Sequence, residues 1–152
     1  MSVAEQLLEV DYNSIKSDYL SFGFKEDNIR INNLRRNEDT LTAELIVEDF
    51  FKDGSGKFHF SATMAFIWFQ QLTIMLIHMN LGLTKKTKEV FVTDCKIKFS
   101  KIITSKKITI TVKIDSSFVH KDFTFYNLSY SANNDSFTAT SVGCINNKVD
   151  IL

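Results

Sequence analysis

The chain contains no proline, only two cysteines in 152 residues and no excess of either charge, and each scarcity narrows what it can be. No proline-rich linker, low-complexity stretch or internal repeat divides it, so one domain spanning residues 1–152 is the simplest organisation. Cys95 and Cys144 are too few and too far apart for a disulfide framework, and they suit reduced thiols buried as small hydrophobes in a cytosolic protein. Eighteen basic residues balance eighteen acidic ones. No global field therefore draws the chain to nucleic acid or to an anionic membrane. Its opening, Met1 to Gln6, lacks a basic stretch followed by an apolar run, so no signal peptide is expected and the cytoplasm is the expected location.

What the chain has is apolar material, 44% of its residues, enough for one core. Residues 60–84 carry no charged side chain. That run meets the length test for a membrane span, but Gln70, Gln71, His78 and Asn80 interrupt it and amphipathic strands surround it. The expectation is a buried central helix over residues 60–82, capped at its start by Ser61 and stopped near Gly82, with no membrane span. Upstream, Leu7, Leu8, Val10, Ile15 and Leu20 recur among charges with a weak helical period, predicting an N-terminal helical segment over residues 1–22.

The remaining segments alternate with the two-residue period of half-buried strands. Strands are predicted at 28–35 and 40–47, a hairpin joined at Asn37-Glu38-Asp39, with Leu41, Ala43, Leu45 and Val47 on one face. A strand over 90–103 is expected to place Phe91, Thr93, Cys95, Ile97 and Phe99 on one face, and one over 107–114 alternates Ile108, Ile110, Val112 and Ile114 with Lys and Thr. A second hairpin, 123–132 and 136–145, turns at Asn133-Asn134-Asp135, residues that tolerate positive φ. One antiparallel sheet can bury a single apolar helix only by curling around it, an α+β architecture known as the hot-dog fold. Such sheets pair edge to edge, so a homodimer or higher homo-oligomer is expected.

The segment His59-Phe60-Ser61-Ala62-Thr63-Met64, continued by Phe69-Gln70-Gln71-Leu72, resembles the central helix of the FcoT-like long-chain fatty-acyl-CoA thioesterases, whose pattern is Gly-His-Phe-Asn-Ala-x-Glu followed by Phe-Asn-Gln-Leu. Lys98-Phe99-Ser100-Lys101 and the final hairpin extend the likeness over most of residues 55–145. The chain departs from the pattern at the polar positions. Ser61 and Gln70 stand where the family has asparagines, Met64 where it has glutamate and Asp53 at the place of a tyrosine, while Tyr12 or Tyr19 could replace another. The resemblance implies fold and ligand class more firmly than reaction.

For thioester chemistry the chain needs backbone N–H groups at a helix N-terminus to polarise a carbonyl, and a polar side chain to orient water or move a proton. His59, Ser61 and Gln70 are the candidate catalytic residues. His59 is the acid/base candidate against the plain alternative of a loop histidine. Ser61 is a helix cap before it is a nucleophile, since no Gly-x-Ser-x-Gly turn surrounds it. Gln70 and Gln71 need hydrogen-bond partners in an apolar helix, either a sheet carbonyl or second subunit, or a water or acyl carbonyl. Phe60, Ala62, Thr63, Met64, Gln71, Lys98 and Lys101 are the candidate substrate-binding residues. Lys98 and Lys101 belong to a basic stretch with Lys96, Lys106 and Lys107 that suits coenzyme A phosphates or an acidic carrier protein, or is simply a solvated strand face. Gly54-Ser-Gly56-Lys57 lacks the spacing of a phosphate-binding loop, and His59, His78, His120 and the cysteines show no metal-ligand spacing.

These features together point to a protein acting on acyl-CoA or acyl-carrier-protein thioesters, hydrolysis first, with no cofactor beyond the coenzyme A or phosphopantetheine of the substrate. Addition to, or dehydration of, an enoyl or hydroxyacyl thioester ranks second, because Met64 replaces the acidic residue. A non-catalytic acyl-binding or interaction module, and a small membrane-associated protein, are the rivals from other classes.

Overall fold

The structure, a computed structural model, describes residues 6–7, 28–49 and 56–150. The elements run β1 (Gln6–Leu7), β2 (Asn28–Asn37), β3 (Thr40–Asp49), α1 (Ala62–Asn80), β4 (Phe91–Phe99), β5 (Lys107–His120), β6 (Phe123–Ala132) and β7 (Phe137–Asn146). Among the described residues the strands form one seven-stranded sheet in the order β1-β2-β3-β5-β6-β7-β4. All neighbouring strands are antiparallel. After α1 the chain reaches the far edge of the sheet as β4, then returns beside β3 as β5.

Side chains of one sheet face form the core against α1: Leu41, Ala43, Leu45 and Val47 of β3, Ile108, Ile110 and Val112 of β5, Leu128 of β6 and Ile145 of β7 are buried. On α1, Leu72, Met75, Leu76 and Ile77 have no exposed surface. Fully burying a side chain of this size is worth roughly 1.5–3 kcal/mol, and the helix joins the sheet through several of them at once. By length and composition α1 could cross a membrane, yet 72% of its apolar window is buried inside the fold. It is the core helix of the sheet.

The helix, Ala62–Asn80, is two residues shorter at each end than the expected 60–82. Phe60 lies in an extended segment in which Phe58 and Phe60 are buried and His59 is exposed. The Phe60 N–H donates to Ile103 O at 2.8 Å, so this approach is tied to the segment after β4. Ser61 (φ −79°, ψ 165°) caps the helix, its Oγ accepting from the Met64 N–H at 3.2 Å. At the other end Gly82 takes φ +71°, a conformation that favours glycine. Leu83 N–H then reaches His78 O at 2.9 Å and closes the last turn.

Three strand expectations change. Gln6–Leu7 is a strand paired with Arg35 and Arg36, where the spacing predicts helix; the rest of that segment lies outside the described residues. In β4 a bulge between Val92 and Asp94 leaves Thr93 without a partner in the ladder and shifts the phase. Cys95, Ile97 and Phe99 share the inner face with Ser141, Ala139 and Phe137, but Phe91 pairs with Cys144 and lies on the outer face. β5 runs six residues beyond Ile114, because a second bulge between Ile114 and Ser116 carries it past the polar Asp115-Ser116-Ser117 to pair Phe118 with Phe125. The final hairpin turns with Asn133, Asn134 and Asp135 all at positive φ (46°, 52° and 61°).

Candidate functional site

Ser61 acts first as a cap: its side chain takes the Met64 N–H and its carbonyl takes the Ala65 N–H at 3.0 Å. The N–H groups of Ala62 and Thr63 have no acceptor among the described residues. Both residues are exposed. This leaves two unpaired backbone donors at the positive end of a 19-residue helix dipole, open to solvent. A helix start of this kind can hold a developing oxyanion.

From there an uncovered stripe runs along the first half of α1. Thr63, Phe66, Ile67 and Gln70 recur at the three-, four- and seven-residue spacings of one helix face, and each is exposed or partly so, Phe66 by 42%. Among the described residues no hydrogen bond engages the Gln70 amide. Its neighbour Gln71 points the other way and is 4% exposed. None of the fully buried polar side-chain atoms among the described residues lacks a partner, so Gln71 belongs to the satisfied interior. Seven residues separate Thr63 from Gln70, about 10 Å along the axis at 1.5 Å per residue, too far for both to touch one carbonyl within a single chain.

The remaining candidates divide between core and surface. Phe60 and Met64 are 2% and 8% exposed. Phe60 stacks on Phe137 at 5.9 Å, and Phe137 meets Phe99 edge-on at 4.7 Å. Phe60 and Phe137 brace the helix start from inside, with the half-exposed Phe99 packed on Phe137. His59 is exposed two residues before the cap. Lys96 and Lys98 lie on the outer face of β4, opposite Thr140 and Thr138. The Lys101 N–H donates to Ser136 O at 3.1 Å, placing this lysine at the same end of the sheet as the helix start. Asp53, Tyr12 and Tyr19 lie outside the described residues. No group of three or more His, Cys, Asp or Glu able to hold a metal occurs among the described residues.

Two polar features escape the sequence reading, the first because its partners are distant in the chain. Thr73 Oγ donates to Phe69 O at 2.8 Å and meets the Tyr130 hydroxyl at 2.7 Å, and that hydroxyl meets Ser141 Oγ at 2.6 Å. With the Thr73 proton committed to Phe69, Tyr130 donates to Thr73 and Ser141 donates to Tyr130, giving the chain one direction. Burial pushes the Tyr130 phenol pKa up, against the two hydroxyl bonds that lower it. His78 has no exposed surface. Its Nδ1 lies 2.8 Å from Ile74 O and its Nε2 accepts the Lys88 N–H at 3.3 Å, so the imidazole is neutral with its proton on Nδ1. Desolvation lowers its pKa, and the nearby Lys86 and Lys88 charges act in the same direction.

No protein-family model matches the chain, and no curated protein matches it. Solved structures do. A candidate thioesterase from Shewanella oneidensis aligns over 89% of this chain and 96% of its own with a TM-score of 0.58 at 9% identity. A mutant of Thioesterase PA1618 from Pseudomonas aeruginosa aligns over 78% and 82% with a TM-score of 0.53 at 11% identity. The smu.793 protein from Streptococcus mutans, solved bound to acetyl CoA, aligns over 80% and 90% with a TM-score of 0.51 at 10% identity. With the strand order and the enclosed helix, these likenesses establish the hot-dog fold for this chain.

Proposed function

We propose that the chain acts on acyl thioesters and hydrolyses them, with acyl-CoA or an acylated carrier protein as substrate. The observation that carries this reading is the solvent-open start of α1, where the unpaired N–H groups of Ala62 and Thr63 head an apolar stripe ending at Gln70. A thioester carbonyl at those donors gains oxyanion stabilisation, and the stripe offers apolar surface to the acyl chain. In this reading His59 takes or gives the proton and Gln70 holds water. Lys98 and Lys101 supply cationic charge to the phosphates of coenzyme A or phosphopantetheine. A hot-dog neighbour solved with acetyl CoA supports coenzyme A as the carrier group.

The 10 Å gap between Thr63 and Gln70 favours a homodimer. If two copies pair their stripes about a two-fold axis, Gln70 of one faces the helix start of the other. β4 offers a free edge for the same pairing. The reaction requires no cofactor of its own, and the proposed location is the cytoplasm.

Incubation with a panel of acyl-CoA and acyl-carrier substrates, followed by mass spectrometry, tests the reading, and free acid is the expected product. A dehydrated or adduct product would move the chain to the addition and dehydration group. Binding without turnover would make it an acyl-binding module.

A further inference from the structure

The uncovered stripe of α1 is narrow, and it ends. Thr63, Phe66, Ile67 and Gln70 are exposed or half-buried, whereas Met64, Ala65, Trp68 and Phe69 between them are buried. One turn further along the same face the helix closes: Thr73, Ile74 and Ile77 are 1%, 6% and 0% exposed. Thr73 is also committed to Phe69 O and to the Tyr130 hydroxyl, so the helix past Gln70 is filled and satisfied. A strip one row of side chains wide fits a single hydrocarbon chain lying along the helix.

Both ends of the strip are polar. At its head stand the Ala62 and Thr63 N–H groups, and at its foot the half-buried Gln70 amide, without a hydrogen bond among the described residues. A methylene laid over Phe66 or Ile67 removes apolar surface from water on both sides of the contact. One laid on the Gln70 amide instead takes water from a polar group. The gain from lengthening an acyl chain therefore stops at Gln70. Seven residues of helix give about 10 Å at 1.5 Å per residue. An extended chain advances about 3.3–3.6 Å for every three bonds, as the peptide backbone does, so the strip takes about eight or nine bonds from the carbonyl. In the pairing of copies described above, the foot of each strip meets the other copy's helix start, a polar end that closes it in the same way.

We infer that the site selects medium-length acyl groups, of about eight to ten carbons, with Phe66 and Ile67 as the residues that read chain length and Gln70 as the stop. This rests on the thioester reading above and narrows its substrate.

A series of straight-chain S-acyl pantetheines from acetyl to hexadecanoyl tests it on the full chain, because pantetheine is common to coenzyme A and carrier proteins. All are kept below their aggregation concentrations. Two readouts are taken, kcat/KM for release of free acid and Kd by calorimetry. Both should improve by about twofold to fourfold per added methylene, the upper figure corresponding to full burial, as far as octanoyl or decanoyl, and then stay level to hexadecanoyl. Phe66→Ala, verified as folded by circular dichroism, should lower the octanoyl-to-acetyl ratio about tenfold. Improvement that continues to hexadecanoyl, no dependence on length from acetyl upward, or an unchanged ratio in folded Phe66→Ala would each overturn the length limit. A ceiling in Kd with no free acid formed would uphold the limit and remove hydrolysis, so the two readings fail separately. Absence of binding throughout the series would overturn both.

Discussion

The two halves of α1 have similar composition and opposite fates. From Leu72 to Met79 every residue is buried, and the polar ones are satisfied inside: Thr73 within a hydroxyl chain, His78 between a helix carbonyl and a loop N–H. From Ala62 to Gln70 the helix instead keeps one exposed or half-exposed stripe and, among the described residues, two unpaired N–H groups and an unbonded amide. A helix can be apolar all round because its whole surface is core, or because core on one side meets an occupant on the other. Here one half does each. The second half fixes the helix in the sheet, and the first half is the part that the proposed thioester chemistry uses.

Substitutions should separate the halves by their effect on stability. Leu76 is fully buried in the scaffold half, and Leu76→Ala should lose about 2–5 kcal/mol in denaturant unfolding through the cavity it leaves. Phe66→Ala, on the uncovered stripe, should cost the isolated chain far less. Comparable losses would mean that the first half is scaffold too. Next comes the hydroxyl chain. Tyr130→Phe removes the acceptor of Ser141 and the donor to Thr73 inside the core, with an expected cost of about 1–3 kcal/mol in the same assay. A neutral result would show that the two hydroxyls find other partners.

The buried histidine makes the scaffold half sensitive to acid. Its folded pKa lies below the unfolded value of 6.5, so the unfolded chain binds the proton more readily. The neutral imidazole's contribution is present above pH 6.5 and is lost as pH falls from there through the folded pKa. Protonation would also turn Nε2 into a donor facing the Lys88 N–H. Unfolding midpoints measured between pH 8 and 5 should therefore decline, with a shallower decline in His78→Gln. Identical pH profiles for the two proteins would exclude this histidine as the source.

Much of the fold was legible in the sequence, whereas the contrast between the helix halves was not, because Gln70 and Gln71, and Phe66 and Leu76, read alike until the sheet covers one of each pair. Helix existence followed from the charge-free run, its cap from Ser61, its stop from Gly82 and the last turn from three residues that accept positive φ, all local signals. The bulge at Thr93 was not legible, because adding one residue to a strand leaves its alternating pattern intact while reversing which side Phe91 occupies. The extension of β5 was hidden by Asp115-Ser116-Ser117, which reads as a turn and serves as strand only because β6 pairs with it. Of the candidate residues, those within a few positions of the cap could be placed from sequence. Met64, read first as core, is buried at 8% exposure, whereas the inward turn of Phe60 was not legible, since the approach to the helix is set by its bond to Ile103 more than forty residues away.

The smallest expected effect on stability belongs to His59, which alternates outward between two buried phenylalanines. Exposed and without a structural partner among the described residues, it should tolerate His59→Ala with a change within about 0.5 kcal/mol, as ordinary surface positions do. If it moves the proton in thioester hydrolysis, the same variant should lose about 10²–10⁴ in kcat, the usual worth of a positioned acid or base. The two measurements divide the possibilities. Lost activity with unchanged stability assigns His59 to the chemistry at the helix start, whereas lost stability makes it part of the brace formed by Phe58 and Phe60. Unchanged activity would leave the helix N–H groups and Gln70 to act with water alone.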